Sequence, residues 1–197
     1  KEVDSSDIIH EILQDLIYYQ KSGGGITLSG GEPLQQKDFA LDILQKCREH
    51  RIHTAVETNL LTDVNTLEAF LPWVDLWMCD FKMADDTLHR KWTGHSNVPI
   101  IKNLEFLAKQ AVPLTIRTPV IPNVNDSEEA IESICRFIRQ LPNQPAYELL
   151  GFHSLGFVKF ENLGMKNPLS NSAFLKKGQL QKLKEILIRY NLNNNKK

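Results

Sequence analysis

Five short segments rich in apolar or β-branched residues alternate with longer amphipathic segments along this chain, and that alternation is the strongest constraint on its fold. The apolar segments have strand length and are bounded by glycine, proline or polar residues. The predicted strands are Ile26–Ser29, His53–Thr58, Val74–Phe81, Pro113–Ile121 and Tyr147–Phe152. Strands separated by helices favour an α/β fold with a parallel sheet, most simply a barrel or a partial barrel. In such folds, ligands bind at the carboxyl ends of the strands.

The segments between the strands carry apolar residues at helical spacing. The predicted helices run from Asp4 or Ser5 to the glycines at 23–25, from Asp38 to about Arg48, over Val64–Phe70, Asp86–Trp92 and Pro99–Gln110, from Asp126 or Ser127 to Gln140, and over Lys177–Tyr190. We therefore predict one domain over residues 1–190. The last residues, 191–197, read NLNNNKK, and we predict that they form a polar, disordered tail.

Polar residues and glycines stand at the carboxyl ends of all five predicted strands. The first strand runs into Gly30, Gly31 and Glu32, where the glycines carry no Cβ that would keep a ligand from the main chain. The later strand ends carry Glu57, Thr58, Met78, Asp80, Lys82, Arg117 and His153. One such residue alone is more often a helix cap or half of a local ion pair. Five strand ends of this kind at one sheet edge favour a ligand site.

The chemistry of these side chains suggests a ligand class. The carboxylates of Glu57 and Asp80 suit an ammonium group or a metal ion, whereas Lys82 and Arg117 suit a carboxylate. His153 can form a hydrogen bond to a hydroxyl group. An amino-acid-like zwitterion that carries a sugar would use all of them. A phosphorylated sugar is the competing hypothesis, although neither a P-loop nor a G-x-G-x-x-G pattern is present.

Composition limits the classes of binding partner, the cellular location and the role of the cysteines. The chain has 197 residues, with 23 basic and 24 acidic side chains, so a nucleic-acid or anionic-membrane surface is not expected. No apolar run reaches membrane-spanning length and no signal-peptide core is visible, which predicts a cytoplasmic protein. The widely spaced Cys47, Cys79 and Cys135 form no C-x-x-C motif, and we interpret them as buried, inert thiols.

Several motifs in their order along the chain resemble a known family. They are SGGEP after the first strand, ETN at 57–59, WMCDFK at 77–82, IRTPVIPNVND at 116–126 and LLGFHSLG at 149–156. Together they resemble the radical S-adenosylmethionine superfamily, and within it the activating enzymes of glycyl radical enzymes, most of all those of pyruvate formate-lyase. The resemblance implies a partial (β/α) TIM-like barrel of the radical SAM type over residues 1–190.

The resemblance also implies roles for individual residues. Those assigned to S-adenosylmethionine are Gly30, Gly31, Glu32, Glu57, Lys82, Arg117 and His153. The glycine turn would hold the methionyl amino group, chiefly through main-chain atoms, and Glu57 would face the same group where the family usually has aspartate. Lys82 would meet the methionyl carboxylate and His153 the ribose, while Arg117 would lie near the methionyl end or the nucleoside.

A monovalent cation is a second implied cofactor. Its ligands would be Glu57, Thr58, Met78 and Asp80, with main-chain oxygens from the threonine and the methionine. Carboxylate and carbonyl oxygens are hard ligands that suit such an ion. Glu57 is one methylene longer than aspartate, and this difference could shift the geometry.

One family feature does not occur in this sequence. The C-x-x-x-C-x-x-C loop that binds a 4Fe-4S cluster, and the strand before it, are absent from the residues given. We therefore expect Lys1 to begin a truncated chain whose first barrel strand is missing and whose cluster ligands lie outside this sequence. We expect this fragment to be inactive alone and to self-associate through the exposed edge at Ile26–Ser29.

The function that the resemblance implies for the whole protein is the reductive cleavage of S-adenosylmethionine to a 5'-deoxyadenosyl radical. That radical would abstract hydrogen from a glycine of a glycyl radical enzyme such as pyruvate formate-lyase, with flavodoxin or a ferredoxin-type protein as the electron donor. Two alternatives stay open: another radical SAM enzyme with a small-molecule substrate, and a non-catalytic domain that binds a nucleoside or a sugar.

Overall fold

The computed structural model describes residues 3–110, 112–153, 157–162, 164–166, 169 and 174–192. Its helices are α1 (Ser5–Gln14), α2 (Leu16–Ser22), α3 (Lys37–Glu49), α4 (Val64–Phe70), α5 (Asp86–Thr93), α6 (Val98–Lys109), α7 (Glu128–Gln140), α8 (Phe157–Asn162) and α9 (Gln179–Arg189). Its strands are β1 (Gly25–Leu28), β2 (His53–Thr58), β3 (Leu76–Asp80), β4 (Leu114–Val120) and β5 (Ala146–Gly151). Short 3-10 turns cover Pro33–Gln36 and Leu71–Trp73.

The five strands form one sheet in the order β1-β2-β3-β4-β5, so each strand follows its neighbour in both sequence and space. β1 and β2 pair in parallel, as do β2 and β3. Helices connect the successive strands, as parallel pairing requires. The predicted α/β class with a parallel sheet is therefore confirmed. Within the described residues, none of the helices is long and apolar enough to span a bilayer.

The chain divides into two compact units. The first consists of Lys1–Asp80 and Val98–Ile116. A core of Ile9, Ile43, Cys47 and Ile52 joins α1 and α3, and β1 packs Ile26 and Leu28 against it. Because side chains alternate along a strand, the intervening residues of β1 face the other side of the sheet. On β3 the same alternation buries Trp77 and Cys79 and leaves Met78 and Asp80 half-buried.

The second unit consists of Phe81–Asn97 and Arg117–Lys197. Its core includes the buried face of α7 and the buried face of α9, which are Ile131, Ile134, Cys135, Ile138, Leu183, Ile186 and Leu187. Arg189 of α9 forms an ion pair with Glu132 of α7 at 3.3 Å. Ser127 caps α7 by accepting a hydrogen bond from the Ala130 amide at 3.1 Å, so the second of the two predicted cap residues is the one used.

The structure corrects several element boundaries. The single helix predicted before Gly23 is two helices, because the Asp15 amide bonds the Ile12 carbonyl at 3.2 Å and the helix restarts after Asp15. Val74 was predicted to begin a strand, but β3 begins at Leu76. The 3-10 turns and α8 have no counterpart among the predicted elements. Of the predicted disordered tail, residues 193–197 lie outside the described residues.

Candidate functional site

The turn after β1 leaves its main chain open. Gly30 has φ +124°, a conformation that residues with a side chain rarely adopt. A Cβ built at Gly30 or at Gly31 would meet no atom of the described residues within 4 Å. Backbone conformation, rather than crowding, therefore requires glycine at position 30. The open space allows a ligand to reach the main-chain atoms of this turn.

Glu32 fastens that turn to the end of β2. Its Oε1 accepts hydrogen bonds from the Thr58 hydroxyl at 2.7 Å and from the Leu34 amide at 3.2 Å. Its Oε2 accepts a third from the Asn59 amide at 2.9 Å. The carboxylate thus caps the 3-10 turn Pro33–Gln36 and holds the segment after β1 against the segment after β2. The assignment of Glu32 to cofactor binding stays a prediction, and the structure gives its side chain this additional holding role.

Glu57, Met78 and Asp80 share one face of the sheet. Glu57 lies opposite Met78 in the parallel register of β2 and β3, and Asp80 follows Met78 on the same face. Ser29 donates its hydroxyl to Glu57 Oε2 at 3.2 Å, which connects this carboxylate to the glycine turn. Thr58 points to the opposite, buried face, so a ligand on the Glu57 face would meet its main chain rather than its hydroxyl.

Lys82, Arg117 and His153 belong to the second unit. The Phe81 amide donates to the main-chain oxygen of Arg117 at 2.9 Å, so the main chain directly before Lys82 lies beside Arg117. Both side chains are half-buried. His153 is exposed and follows the end of β5 at Gly151. The structure therefore places Lys82 directly after a main-chain contact to Arg117 and places His153 two residues after the end of β5.

Several residues that hold these strand ends were missed by the sequence prediction. The clearest are Asn97, Thr118 and Asn125, which are buried and donate hydrogen bonds to the main chain after β3. Asn125 directly precedes the predicted helix start at Asp126 or Ser127, and the structure buries its side chain inside the second unit. No local signal in the sequence marked these side chains, because their partners lie up to 43 residues away and meet them only in the folded unit.

The three cysteines do not fit a 4Fe-4S cluster, which requires thiolate ligands gathered at one place. Each is buried. Burial raises the pKa of Cys47 to about 11 and that of Cys79 well above its ordinary value. Burial also raises the pKa of Cys135 to about 12, with a further contribution from Glu132. The described residues contain no group of three or more His, Cys, Asp or Glu side chains that could hold a metal ion. The predicted burial of the three thiols is confirmed, and their inertness stays a prediction.

The family model of the radical SAM superfamily matches residues 3–137. The pyruvate formate-lyase-activating enzyme of Clostridium pasteurianum is 33% identical over 187 residues, which are 95% of this chain and 78% of that enzyme. This chain belongs to the radical SAM superfamily and, within it, to the glycyl radical enzyme activating enzymes. The resemblance predicted from the motifs is therefore confirmed.

A second activating enzyme and a solved structure are also similar to this chain. The isethionate sulfite-lyase activating enzyme of Desulfovibrio desulfuricans is 41% identical over 165 residues, which are 83% of this chain and 53% of that enzyme. The chain thus spans about half the length of that curated relative. A crystal structure of a domain of pyruvate-formate lyase-activating enzyme from Bacteroides vulgatus has a TM-score of 0.72 and 31% identity, covering 86% of this chain and 96% of that domain. The predicted radical SAM type of α/β fold is confirmed.

Proposed function

We propose that this chain carries the S-adenosylmethionine-binding part of a glycyl radical enzyme activating enzyme. The observation that carries the proposal is the open glycine turn after β1, which Glu32 holds against the end of β2 and Ser29 connects to Glu57. A methionyl ammonium group requires carbonyl or carboxylate acceptors, and this turn offers both. Identities above 30% to activating enzymes favour this function over a small-molecule radical enzyme or a non-catalytic binding domain.

The other strand ends complete the proposed ligand contacts. Lys82 would bind the methionyl carboxylate through a charge-assisted hydrogen bond, with Arg117 near the methionyl end or the nucleoside. His153 would form a hydrogen bond to a ribose hydroxyl. The main chain of Gly30–Glu32 and the carboxylate of Glu57 would bind the ammonium group. These residues bind and orient the cofactor, which supplies the reactive group.

A monovalent cation beside the bound methionyl group is part of the proposal. Glu57 and Asp80 would supply carboxylate oxygens, and Thr58 and Met78 would supply main-chain oxygens. The shared face of Glu57, Met78 and Asp80 supports this set, because parallel register puts the first two directly opposite each other. Hard oxygen donors of this kind suit an alkali cation.

For the whole protein, we propose reductive cleavage of S-adenosylmethionine and hydrogen abstraction from a glycine of a partner enzyme. The relatives named above activate isethionate sulfite-lyase and pyruvate formate-lyase, and either type of glycyl radical enzyme is a proposed partner. A flavodoxin or ferredoxin-type electron donor and a cytoplasmic location complete the proposal. The three cysteines do not fit a 4Fe-4S cluster. We therefore expect this chain to be inactive alone.

The first experiment measures S-adenosylmethionine binding to this chain by calorimetry. Gly30→Ala should weaken binding about tenfold or more, because it strains a φ of +124° and fills the open turn. Gly178→Ala is the matched control, since Gly178 also has a positive φ of +80° with no atom of the described residues within 4 Å of a built Cβ. That control should lower stability and leave the affinity unchanged.

Two results would contradict the proposed function. The first is an unchanged chain that does not bind S-adenosylmethionine. The second is equal affinity in Gly30→Ala and Gly178→Ala. Glycyl radical formation in a purified partner enzyme, detected by electron paramagnetic resonance with the whole protein, separates an activating enzyme from an enzyme with a small-molecule substrate.

A further inference from the structure

The segment that follows β3 is held by buried side chains at four consecutive carbonyl groups. Thr118 donates its hydroxyl to the Phe81 oxygen at 2.6 Å, and Asn125 donates its amide to the Lys82 oxygen at 2.9 Å. The side-chain amide of Asn97 donates to the Met83 oxygen at 3.0 Å and to the Ala84 oxygen at 2.9 Å. The three donors are 0%, 2% and 1% exposed in that order. A loop with this many buried side-chain donors has a fixed main chain.

Two of these bonds anchor the two peptide groups on either side of the Lys82 Cα. The Phe81 oxygen belongs to the peptide before Lys82, and the Lys82 oxygen belongs to the peptide after it. The next peptide group upstream, between Asp80 and Phe81, is anchored as well, because the Phe81 amide donates to the main-chain oxygen of Arg117. Because peptide groups are planar, fixing both of them fixes the φ and ψ of Lys82 and hence the direction of its Cα–Cβ bond.

The donors are themselves fixed. Tyr147 donates its hydroxyl to Thr118 Oγ1 at 3.1 Å, and burial raises the pKa of Tyr147 far above its ordinary value, so the phenol keeps its proton. Asn125 accepts a hydrogen bond from the Ile121 amide at 2.7 Å and donates a second one to the Pro119 oxygen at 3.0 Å. Both amide protons and the amide oxygen of Asn125 are therefore used, which sets the orientation of this side chain.

We infer that Thr118 and Asn125 are positioning residues that direct the Lys82 ammonium group toward the methionyl carboxylate of S-adenosylmethionine. The inference rests on the proposed function, because it requires Lys82 to bind that carboxylate. Both side chains are buried and donate to main-chain carbonyls. They act by holding the main chain from which the Lys82 side chain extends, and a contact to a charged group depends strongly on such placement.

The test compares two ligands, S-adenosylmethionine and its decarboxylated analogue, by calorimetry on the full chain. Lys82→Met, which removes the ammonium group, should weaken S-adenosylmethionine about tenfold or more and the analogue by less than about twofold. Thr118→Val keeps the side-chain shape and charge but removes the donor to Phe81. It should weaken S-adenosylmethionine about threefold to fivefold, again with little effect on the analogue. Thr118→Ser retains the hydroxyl and should restore the affinity.

A second variant and a matched control separate positioning from stability. Asn125→Leu is neutral and similar in size, and it should reproduce the selective loss of S-adenosylmethionine affinity. Asn103→Leu is the control, because buried Asn103 likewise donates its amide to two carbonyls, those of Leu60 and Thr62, at 2.9 Å and 2.8 Å. The control should lower the melting temperature to a similar extent without changing the affinity ratio of the two ligands.

The outcomes distinguish the inference from the proposed function. If Thr118→Val weakens both ligands equally, or weakens neither, the positioning role is overturned. A selective loss in Lys82→Met would still support the carboxylate contact. An unchanged affinity in Lys82→Met overturns the carboxylate contact and the inference with it. In the Lys82→Met background, Thr118→Val should have no further selective effect, and a selective effect there would also overturn the inference. A chain that binds neither ligand contradicts the proposed function itself.

Discussion

Replacing Glu32 with alanine is the most direct perturbation of the candidate site, because this carboxylate accepts three hydrogen bonds from Thr58, Leu34 and Asn59. Thr58 is 2% exposed, so its hydroxyl cannot turn to water after the change. At about 1 kcal/mol for each lost hydrogen bond, the free energy of unfolding should fall by about 3 kcal/mol. For a chain of this size, the melting temperature should fall by roughly 6–12 °C.

The same change should weaken S-adenosylmethionine binding about tenfold, because the glycine turn loses its attachment to the end of β2. Glu32→Gln keeps one acceptor oxygen and should cost roughly 1–2 kcal/mol of stability. Circular dichroism during heating measures the stability. Calorimetry well below the melting temperature measures the affinity.

Asp63→Ala is the matched control for this prediction. Asp63 caps α4 and accepts hydrogen bonds from the amide and the hydroxyl of Thr66, both at 2.9 Å. Its loss should lower the free energy of unfolding by less than the loss of Glu32 does, and it should leave S-adenosylmethionine affinity unchanged. If Glu32→Ala lowers stability but not affinity, the carboxylate only supports the fold. If Glu32→Ala changes neither quantity, the hydrogen-bond argument itself is refuted.

Three further predictions concern pH, thiol reactivity and ion binding. The side-chain hydrogen bond from Arg90, with further bonds from the Ser96 hydroxyl and the Asn97 amide, lowers the pKa of Asp86 to about 2, below its ordinary value of 3.8. Its stabilising effect is therefore complete above about pH 4 and is lost as the pH falls toward 2, and Asp86→Asn should flatten urea-unfolding stability across that range. All three thiols should resist a disulfide reagent at pH 7.5 until the chain unfolds, because thiolate is the reactive form; rapid reaction of the folded chain would contradict this. Exchanging potassium for tetramethylammonium should weaken S-adenosylmethionine binding, whereas in Asp80→Ala the two ions should give equal affinity; ion dependence that persists in the variant would count against the proposed cation site.

The boundaries of β2 and α4 were predicted to the residue, because the signals there are local. His53–Thr58 is rich in β-branched residues, which favour strands, and Val64–Phe70 has Asp63 as an N-cap and a proline soon after its end. The break between α1 and α2 could not be predicted in this way. The apolar pattern continues through Asp15, and the break depends on main-chain hydrogen bonding that periodicity does not report.

Part of the candidate site was predictable for the same reason. Strand alternation places Met78 and Asp80 on one face whatever the rest of the fold does, and parallel pairing then brings Glu57 beside them. The partners of Glu32 were not predictable, because Thr58 and Asn59 are distant in sequence and their donors meet its carboxylate only after β1 and β2 pair. Contacts of this kind require the register of the sheet and not only the positions of its strands.

Buried asparagines hold the main chain after two of the strands. The predicted site residues do not include them, so the prediction describes only part of the site. After β2, Asn103 binds the carbonyls of Leu60 and Thr62. After β3, Asn97 and Asn125 bind three more carbonyls. Loops that present ligand-binding groups leave the sheet ladder, so their carbonyls need other donors, and a buried amide supplies two protons at once. Each of these asparagines therefore fixes a loop from a helix or loop elsewhere in its own unit. It follows that Asn125→Leu should alter S-adenosylmethionine affinity through the main chain of Lys82, whereas Asn103→Leu, which frees the main chain after β2, should lower stability without changing the ratio of affinities for S-adenosylmethionine and its decarboxylated analogue.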